Sequence, residues 1–272
     1  MAYEYPYDDW AEIYDAVYAD LTHDLAFYTG LAESVGGPVL ELGCGTGRVS
    51  LAIAAKGIDV VGVDISPLMV EAAQAKAVKR KLTERCIFQT GDMASVKLAG
   101  SYPLVIMPFR SFQSMLTVEE QKAALATVAA HLTDGGTLAL DLFVPDVGQL
   151  GVEADETVPF HVRDVKQPGG GTIVVWGQNG WDGAEQVNSS RLIIEELDAK
   201  GVMVRRLYRD FDLRYTFRYE MSHLLELCGF EVDSVAGDFE GGPVTGDSDD
   251  IVWVARTAGR RPAPARSRRA SA

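Results

Sequence analysis

The spacing of apolar residues changes along this chain, and each change marks a different kind of element. From Asp8 to about Leu31, Trp10, Ile13, Tyr14, Val17, Tyr18, Leu21 and Leu25 recur at intervals of three and four, which places them on one helical face. One amphipathic helix or two short ones are predicted, stopped by Gly36, Gly37 and Pro38. Short apolar runs then alternate with helical stretches. The runs are Val39 to Leu42, Val60 to Val63 ending at Asp64, Cys86 to Gln89, Leu104 to Met107, and Thr137 to Phe143 after the Gly135-Gly136 turn. Between them lie helical stretches from Arg48 to Lys56, from Pro67 to Lys81 with Ser66 as N-cap, and from Val118 to Leu132 with an acidic first turn. Strands and helices in this order predict a parallel sheet wound with right-handed crossovers.

Beyond residue 143 the rhythm becomes that of an antiparallel sheet. Between about Val158 and Thr216, the β-rich runs Thr172 to Gln178, Val187 to Leu197 and Val202 to Leu213 are separated by glycine-rich or polar turns. Tyr219 to Leu227 returns to helix, and Phe230 to Val235 with Ile251 to Val254 completes the main sheet as a hairpin pair. The expected plan is a helical cap over residues 1–36, an α/β domain over 37–150 and 217–256, a β insertion over 151–216, and a basic tail over 257–272. An insertion at the strand ends is expected to form a substrate lid or the contact of a homodimer, because ligands in open α/β sheets bind beyond the carboxyl ends of strands.

Composition narrows the chemistry. The net charge is −14, yet six of the arginines lie in the last seventeen residues; residues 1–255 hold 19 basic against 39 acidic side chains, a balance of −20. So acidic a body repels phosphate backbones, which argues against nucleic acid and for neutral or cationic small molecules. The tail, rich in Arg, Pro, Ala and Ser, is expected to be disordered. No apolar stretch is long enough for a membrane span, and Glu4, Asp8 and Asp9 stand where a secretory signal would be basic. Cys44, Cys86 and Cys228 form neither a disulfide framework nor a CxxC motif, so a reducing cytoplasm is the expected compartment. Asp247, Asp249 and Asp250 read as a solvated turn, and no metal is implied.

The segment that carries most information is Val39-Leu40-Glu41-Leu42-Gly43-Cys44-Gly45-Thr46-Gly47-Arg48, a strand entering a glycine turn and then a helix. A dinucleotide fingerprint would need glycine where Arg48 stands, which argues against a nicotinamide or flavin dinucleotide. Glu41 would also repel a pyrophosphate, whereas it could pair with an ammonium group.

This motif, read as ExGxGxG, resembles that of the class I S-adenosylmethionine-dependent methyltransferases, and the resemblance runs over about residues 10 to 256. It implies an α/β, Rossmann-like, mostly parallel seven-stranded sheet with helices on both faces, here carrying an inserted antiparallel β-sheet lid. It implies S-adenosylmethionine as cofactor and methyl transfer to a small molecule in secondary metabolism. The glycine loop, Gly43 to Gly47 with Cys44, would hold the cofactor, Asp64 the ribose hydroxyls, and Gly91-Asp92-Met93 the adenine, whose other face Ile65 and Leu68 would cover. Tyr14 and Tyr18 lie one turn apart in a YDxxY-type helix of the kind that covers the cofactor in small-molecule relatives, and core packing is the alternative for both.

In-line displacement from a sulfonium needs alignment and exclusion of water rather than a covalent nucleophile. After the fourth strand, Met107 and Pro108 would lie beside the cofactor, while Phe109, Arg110, Phe112 and Gln113 would face the acceptor. Tyr14, Phe112 and Gln113 are the candidate catalytic residues. His161, Trp176 and Tyr215 are the candidates from the insertion. None of the four histidines is an evident general base, which together with the acidic body favours N-methylation of an amine over O-methylation of a hydroxyl. A non-catalytic cofactor-binding regulator and a nicotinamide-dependent oxidoreductase are the remaining alternatives.

Overall fold

A computed structural model of the chain describes residues 7–145, 148, 150 and 158–258. The basic tail from residue 259 onward and the first residues of the insertion, 151–157, lie outside the described residues. The main body alternates β1 (Val39–Leu42), α3 (Arg48–Ala55), β2 (Val60–Asp64), α4 (Pro67–Arg80), β3 (Cys86–Thr90), β4 (Tyr102–Met107), α5 (Val118–His131) and β5 (Leu132–Phe143). It is preceded by α1 (Tyr14–Val17) and α2 (Leu25–Val35) and completed by α6 (Arg218–Leu227), β10 (Phe230–Ala236) and β11 (Asp250–Thr257). The seven strands run β10-β11-β5-β4-β1-β2-β3, with β11 antiparallel to both its neighbours and the other pairs parallel. A second sheet, β6 (Phe160–Lys166), β7 (Thr172–Asp182), β8 (Val187–Leu197) and β9 (Met203–Arg214), is antiparallel throughout.

Both faces of the main sheet are buried, as its continuous apolar strands require. Leu40, Leu42, Val105, Met107 and Leu140 pack with Leu125 and Val128 of α5 and Leu225 of α6. The alternate residues Val39, Leu104, Ile106 and Ala139 pack with Tyr28 of α2, Ile53 of α3 and Ala73 of α4. A third cluster joins Trp10, Ile13 and Val17 to Val165, Ile173, Val175 and Ile194, so the N-terminal segment is clamped between main body and insertion.

Local signals account for most of the boundaries. Ser66 Oγ accepts from Met69 N at the start of α4, and Thr117 and Glu120 form a reciprocal capping box on α5. His131 terminates α5 and is buried; Nδ1 meets Thr127 O at 2.7 Å and Leu98 N donates to Nε2 at 2.9 Å, so the ring ties a loop to the helix end. The N-terminal stretch forms two short helices, the second of the two expected arrangements, broken between Val17 and Leu25. Two details differ from expectation. β5 starts directly after α5, its register against β4 jumping between Tyr102↔Leu132 and Leu104↔Thr137. The insertion has a fourth strand, β6, which the sequence pattern does not resolve.

Candidate active site

In the strand order the chain reverses direction between β1 and β4, the point at which open α/β sheets present a ligand crevice. The register aligns their carboxyl ends, with Leu42 opposite Val63, Asp64 opposite Thr90, and Glu41 opposite Ile106. The glycine loop, Asp64, Gly91 to Met93, Met107 and Pro108 therefore assemble along one edge, although they are widely separated in sequence.

The glycines of the loop serve different ends. Gly43 and Cys44 both donate to Val63 O, fixing the turn on β2. A Cβ on Gly43 would stand 2.5 Å from Cβ of Ser111, so this glycine is demanded by internal packing. Gly45 has φ +52°, and a Cβ there would meet nothing nearer than the Tyr14 ring at 4.0 Å. A Cβ would thus sit in ordinary contact with that aromatic edge, and the left-handed backbone rather than packing calls for glycine here. Asp64 stands on the same side; Oδ2 accepts from Gly45 N at 2.7 Å and Oδ1 from Ser66 N at 2.9 Å, and the carboxylate keeps acceptor capacity beyond these bonds. Burial raises its pKa. An acid at a strand end beside a glycine turn fits a nucleoside sugar.

The neighbouring positions are more varied. Glu41 is buried, takes the Ser50 hydroxyl of α3 as hydrogen-bond donor, and is pushed up to about pKa 8 by desolvation. Ile65 is half-buried and Leu68 exposed at the entry to α4. Asp92 is exposed and accepts from Ala94 N at 2.8 Å, closing the turn after β3. Met93 and Met107 are buried, and Met93 Cε lies 3.2 Å from where a Gly43 side chain would begin. Pro108 follows Met107 directly at the end of β4.

The N-terminal segment is latched over this edge. Asp8 accepts from Ser66 Oγ at 2.5 Å, Asp15 from Thr46 Oγ1 at 2.6 Å, and Asp24 takes both ends of the Arg48 guanidinium at 2.5 and 2.6 Å. Tyr14 and Tyr18 pack with centroids 4.8 Å apart, and Tyr18 meets Phe109 edge-on at 5.2 Å. Burial lifts both phenol pKa values, Tyr18 to about 12, so both rings are neutral.

Phe109 and Arg110, after β4, both have positive φ, 52° and 66°, a conformation that non-glycine residues rarely hold unaided. Asp141 at the end of β5 holds them: its carboxylate accepts from Phe109 N at 2.9 Å, Arg110 N at 3.1 Å and the Tyr28 hydroxyl at 2.5 Å. It is 1% exposed, and desolvation pushes its pKa up to about 7. The Arg110 side chain pairs with Asp250 at 2.8 Å and lies over the Phe143 ring.

Between this edge and the inner face of the insertion opens a cavity of about 950 Å³. Arg110 and Phe143 line it from below, Asn179, Trp181, Asn188 and Ser190 from β7 and β8, Asp238, Asp247 and Asp249 from the loop between β10 and β11, and Asp250 from the start of β11. A smaller cavity, about 230 Å³, adjoins it between Tyr18, Asp141 and Phe211. Arg110 and His23 line both.

Several expected acceptor contacts are corrected here. Phe112 is fully buried in the core cluster with Leu42 and Met107, because the turn after Arg110 directs it inward. Gln113 is also fully buried; Oε1 accepts from Phe143 N at 2.9 Å, and Nε2 has no partner among the described residues. Trp176 lies on the opposite face of β7 from the buried Ile173 and Val175, since strand side chains alternate; its Nε1 donates to Glu195, and exposed His161 packs against its edge. Tyr215 is buried behind Trp181, with ring centroids 5.6 Å apart. The residues that sequence reasoning misses are Asn179, Asn188, Ser190 and Asp141. The three on β7 and β8 share one available signal: they occupy the strand parity of the buried apolar positions, where a polar side chain is anomalous.

A family model described as a methyltransferase domain matches residues 39–136. The chain is 27% identical over 253 residues to a cypemycin N-terminal methyltransferase of Streptomyces sp, covering 91% of this chain and 96% of that protein. It is similar in structure to the CcbJ methyltransferase of Streptomyces caelestis, with TM-score 0.78, 25% identity and coverage of 94% and 100% of the two chains. CalS10, a SAM-bound amino pentose methyltransferase from Micromonospora echinaspora, shares the fold at TM-score 0.66 and 22% identity, with 94% and 100% covered.

Proposed function

Because this chain belongs to the class I S-adenosylmethionine-dependent methyltransferases and methylates a small molecule, we propose that its acceptor is an amine, methylated at nitrogen. The observation that carries this reading is the sign of the cavity lining. Asp238, Asp247, Asp249 and Asp250 face it, and Arg110, the cation opposite, is already paired with Asp250. Such a rim concentrates an ammonium-bearing molecule and disfavours an anion. Similarity to a cypemycin N-terminal methyltransferase supports nitrogen as the accepting atom.

When bound, S-adenosylmethionine supplies the electrophilic methyl group of its sulfonium. The Gly45 loop and Asp64 bind the nucleoside, and Tyr14 and Tyr18 cover it as aromatic faces, each worth about 0.5–2 kcal/mol beside a cation. The lid sheet excludes water and aligns the amine. The acceptor's ammonium proton is released to bulk water at the acidic rim before the lone pair attacks, so no buried base is required. A labelled-methyl assay over matched amines and phenols tests the reading. Label should appear on nitrogen; label on phenolic oxygen with every amine inert would overturn it.

A further inference from the structure

The inner face of the lid carries two polar cross-strand pairs that behave differently. Asn179 of β7 stands opposite Ser190 of β8, and two residues along, Trp181 stands opposite Asn188. Directly opposed residues share a face, and all four side chains line the large cavity. The first pair closes on itself, Ser190 Oγ donating to Asn179 Oδ1 at 2.9 Å. The second does not. Trp181 Nε1 and Asn188 Oδ1 are both buried, and neither has a hydrogen-bond partner among the described residues. Asn188 is 5% exposed, so bulk water does not serve it. Buried polar atoms are satisfied in nearly all native proteins, and an unpartnered donor and an unpartnered acceptor on opposed residues of one cavity wall point to a ligand group.

The Trp181 ring is held for this purpose on two sides, edge-on to Phe143 at 6.2 Å and to Tyr215 at 5.6 Å. Its indole can only donate, and a carboxamide oxygen can only accept. The simplest neutral group that satisfies both through one atom is a hydroxyl, whose oxygen accepts from the indole while its proton goes to the amide. We propose that Trp181 and Asn188 together recognise a hydroxyl of the acceptor, so that the substrate is a hydroxylated amine and these two residues set its specificity. This rests on the amine reading for the nitrogen only; the hydroxyl site stands on the lid geometry.

The test combines a binding and a transfer measurement on the full chain with S-adenosylhomocysteine or S-adenosylmethionine added. The probes are 2-, 3- and 4-aminocyclohexanol, cyclohexylamine and cyclohexane-1,4-diol. With ¹⁵N-labelled tryptophan, the indole resonance that disappears in Trp181→Phe should shift with the hydroxylated probes, diol included, and stay in place with cyclohexylamine. In the transfer assay, kcat/KM for the preferred aminocyclohexanol should exceed that for cyclohexylamine by about tenfold or more. Trp181→Phe and Asn188→Ala should each bring the two substrates to the same kcat/KM, chiefly by lowering that for the aminocyclohexanol by about tenfold. An indole shift without methyl transfer to any amine would sink the nitrogen reading and leave the hydroxyl site intact. An indole resonance indifferent to every hydroxylated probe, as expected if the pair takes no ligand, would overturn the proposal, and so would a hydroxyl preference that survives both substitutions.

Discussion

Replacing Asp141 by asparagine should change how the protein's stability depends on pH, by an amount that follows from its surroundings. The carboxylate is buried against Tyr28, Phe109 N and Arg110 N, and its pKa is raised from an ordinary 3.8 to about 7, desolvation being the largest cause. Across that interval the folded protein keeps a proton that the unfolded chain has released. Stability therefore falls as pH rises from about 4 to about 7, opposite in sign to an acid held by a salt bridge. Integrated between about pH 5 and 8, this one group withdraws about 3 kcal/mol. In a chain of this size that corresponds to roughly 6–12 °C of melting temperature. A carboxamide cannot titrate, so Asp141→Asn should lose this part of the slope and gain on the wild type as the solution becomes alkaline. Glu41, pushed to about 8, contributes a slope of the same sign, but it is present in both proteins and cancels in the comparison. Calorimetric melts of the two proteins at half-unit steps, without cofactor, decide the matter. Parallel curves would refute the claim that Asp141 is held protonated by burial.

Three further outcomes are expected. Gly45→Ala should fold with a penalty of about 1–2 kcal/mol for its left-handed backbone yet fail to bind cofactor by calorimetry, whereas Gly43→Ala, whose Cβ would meet Ser111 at 2.5 Å, should be damaged chiefly in stability; the reverse pattern would refute the division of labour between the two glycines. Asp64→Ala should weaken cofactor binding by about 1.5–3 kcal/mol, roughly tenfold to a hundredfold, through lost charge-assisted hydrogen bonds; unchanged affinity in a titration would rule out its role at the ribose. Arg48→Ala should cost about 3–5 kcal/mol because it strands the Asp24 carboxylate, whose side chain is 2% exposed. Asp24→Ala should cost less, since the guanidinium is 21% exposed and can turn to water; equal losses in denaturant melts would count against this asymmetry.

Much of this architecture is legible in the sequence because its signals are local. The apolar run over Val39–Leu42 coincides with β1, α4 announces itself through Ser66 and Pro67, and the glycine motif locates the ligand edge. What escapes depends on contacts between distant residues. The break after Val17 coincides with Asp24 turning in to meet Arg48, and no helical period encodes that pair. In the sequence Arg48 stands out only as a mismatch to a dinucleotide fingerprint, while in the fold it anchors the N-terminal segment. Tyr28 and Asp141 lie 113 residues apart, and neither sequence neighbourhood hints at the other. On the lid, Trp176 and Trp181 are both aromatics near one β-rich run, and the sequence offers no reason to prefer the second for the pocket; parity against Ile173 and Val175 separates them once the strand is known to continue to Asp182. Phe112 is misplaced by sequence reasoning for the converse reason, since the left-handed backbone at Phe109 and Arg110 rotates everything after it.

The segment from Asp8 to Asp24 has a mechanical consequence. On one side it grips the body through Ser66, Thr46, Lys76 and Arg48; on the other, Asp9, Glu12 and Asp20 reach Arg209, Arg205 and Arg163 of the insertion. It behaves as a strut riveted at both ends. Any swing of the insertion away from the body would have to break these rivets or draw the strut off the glycine turn.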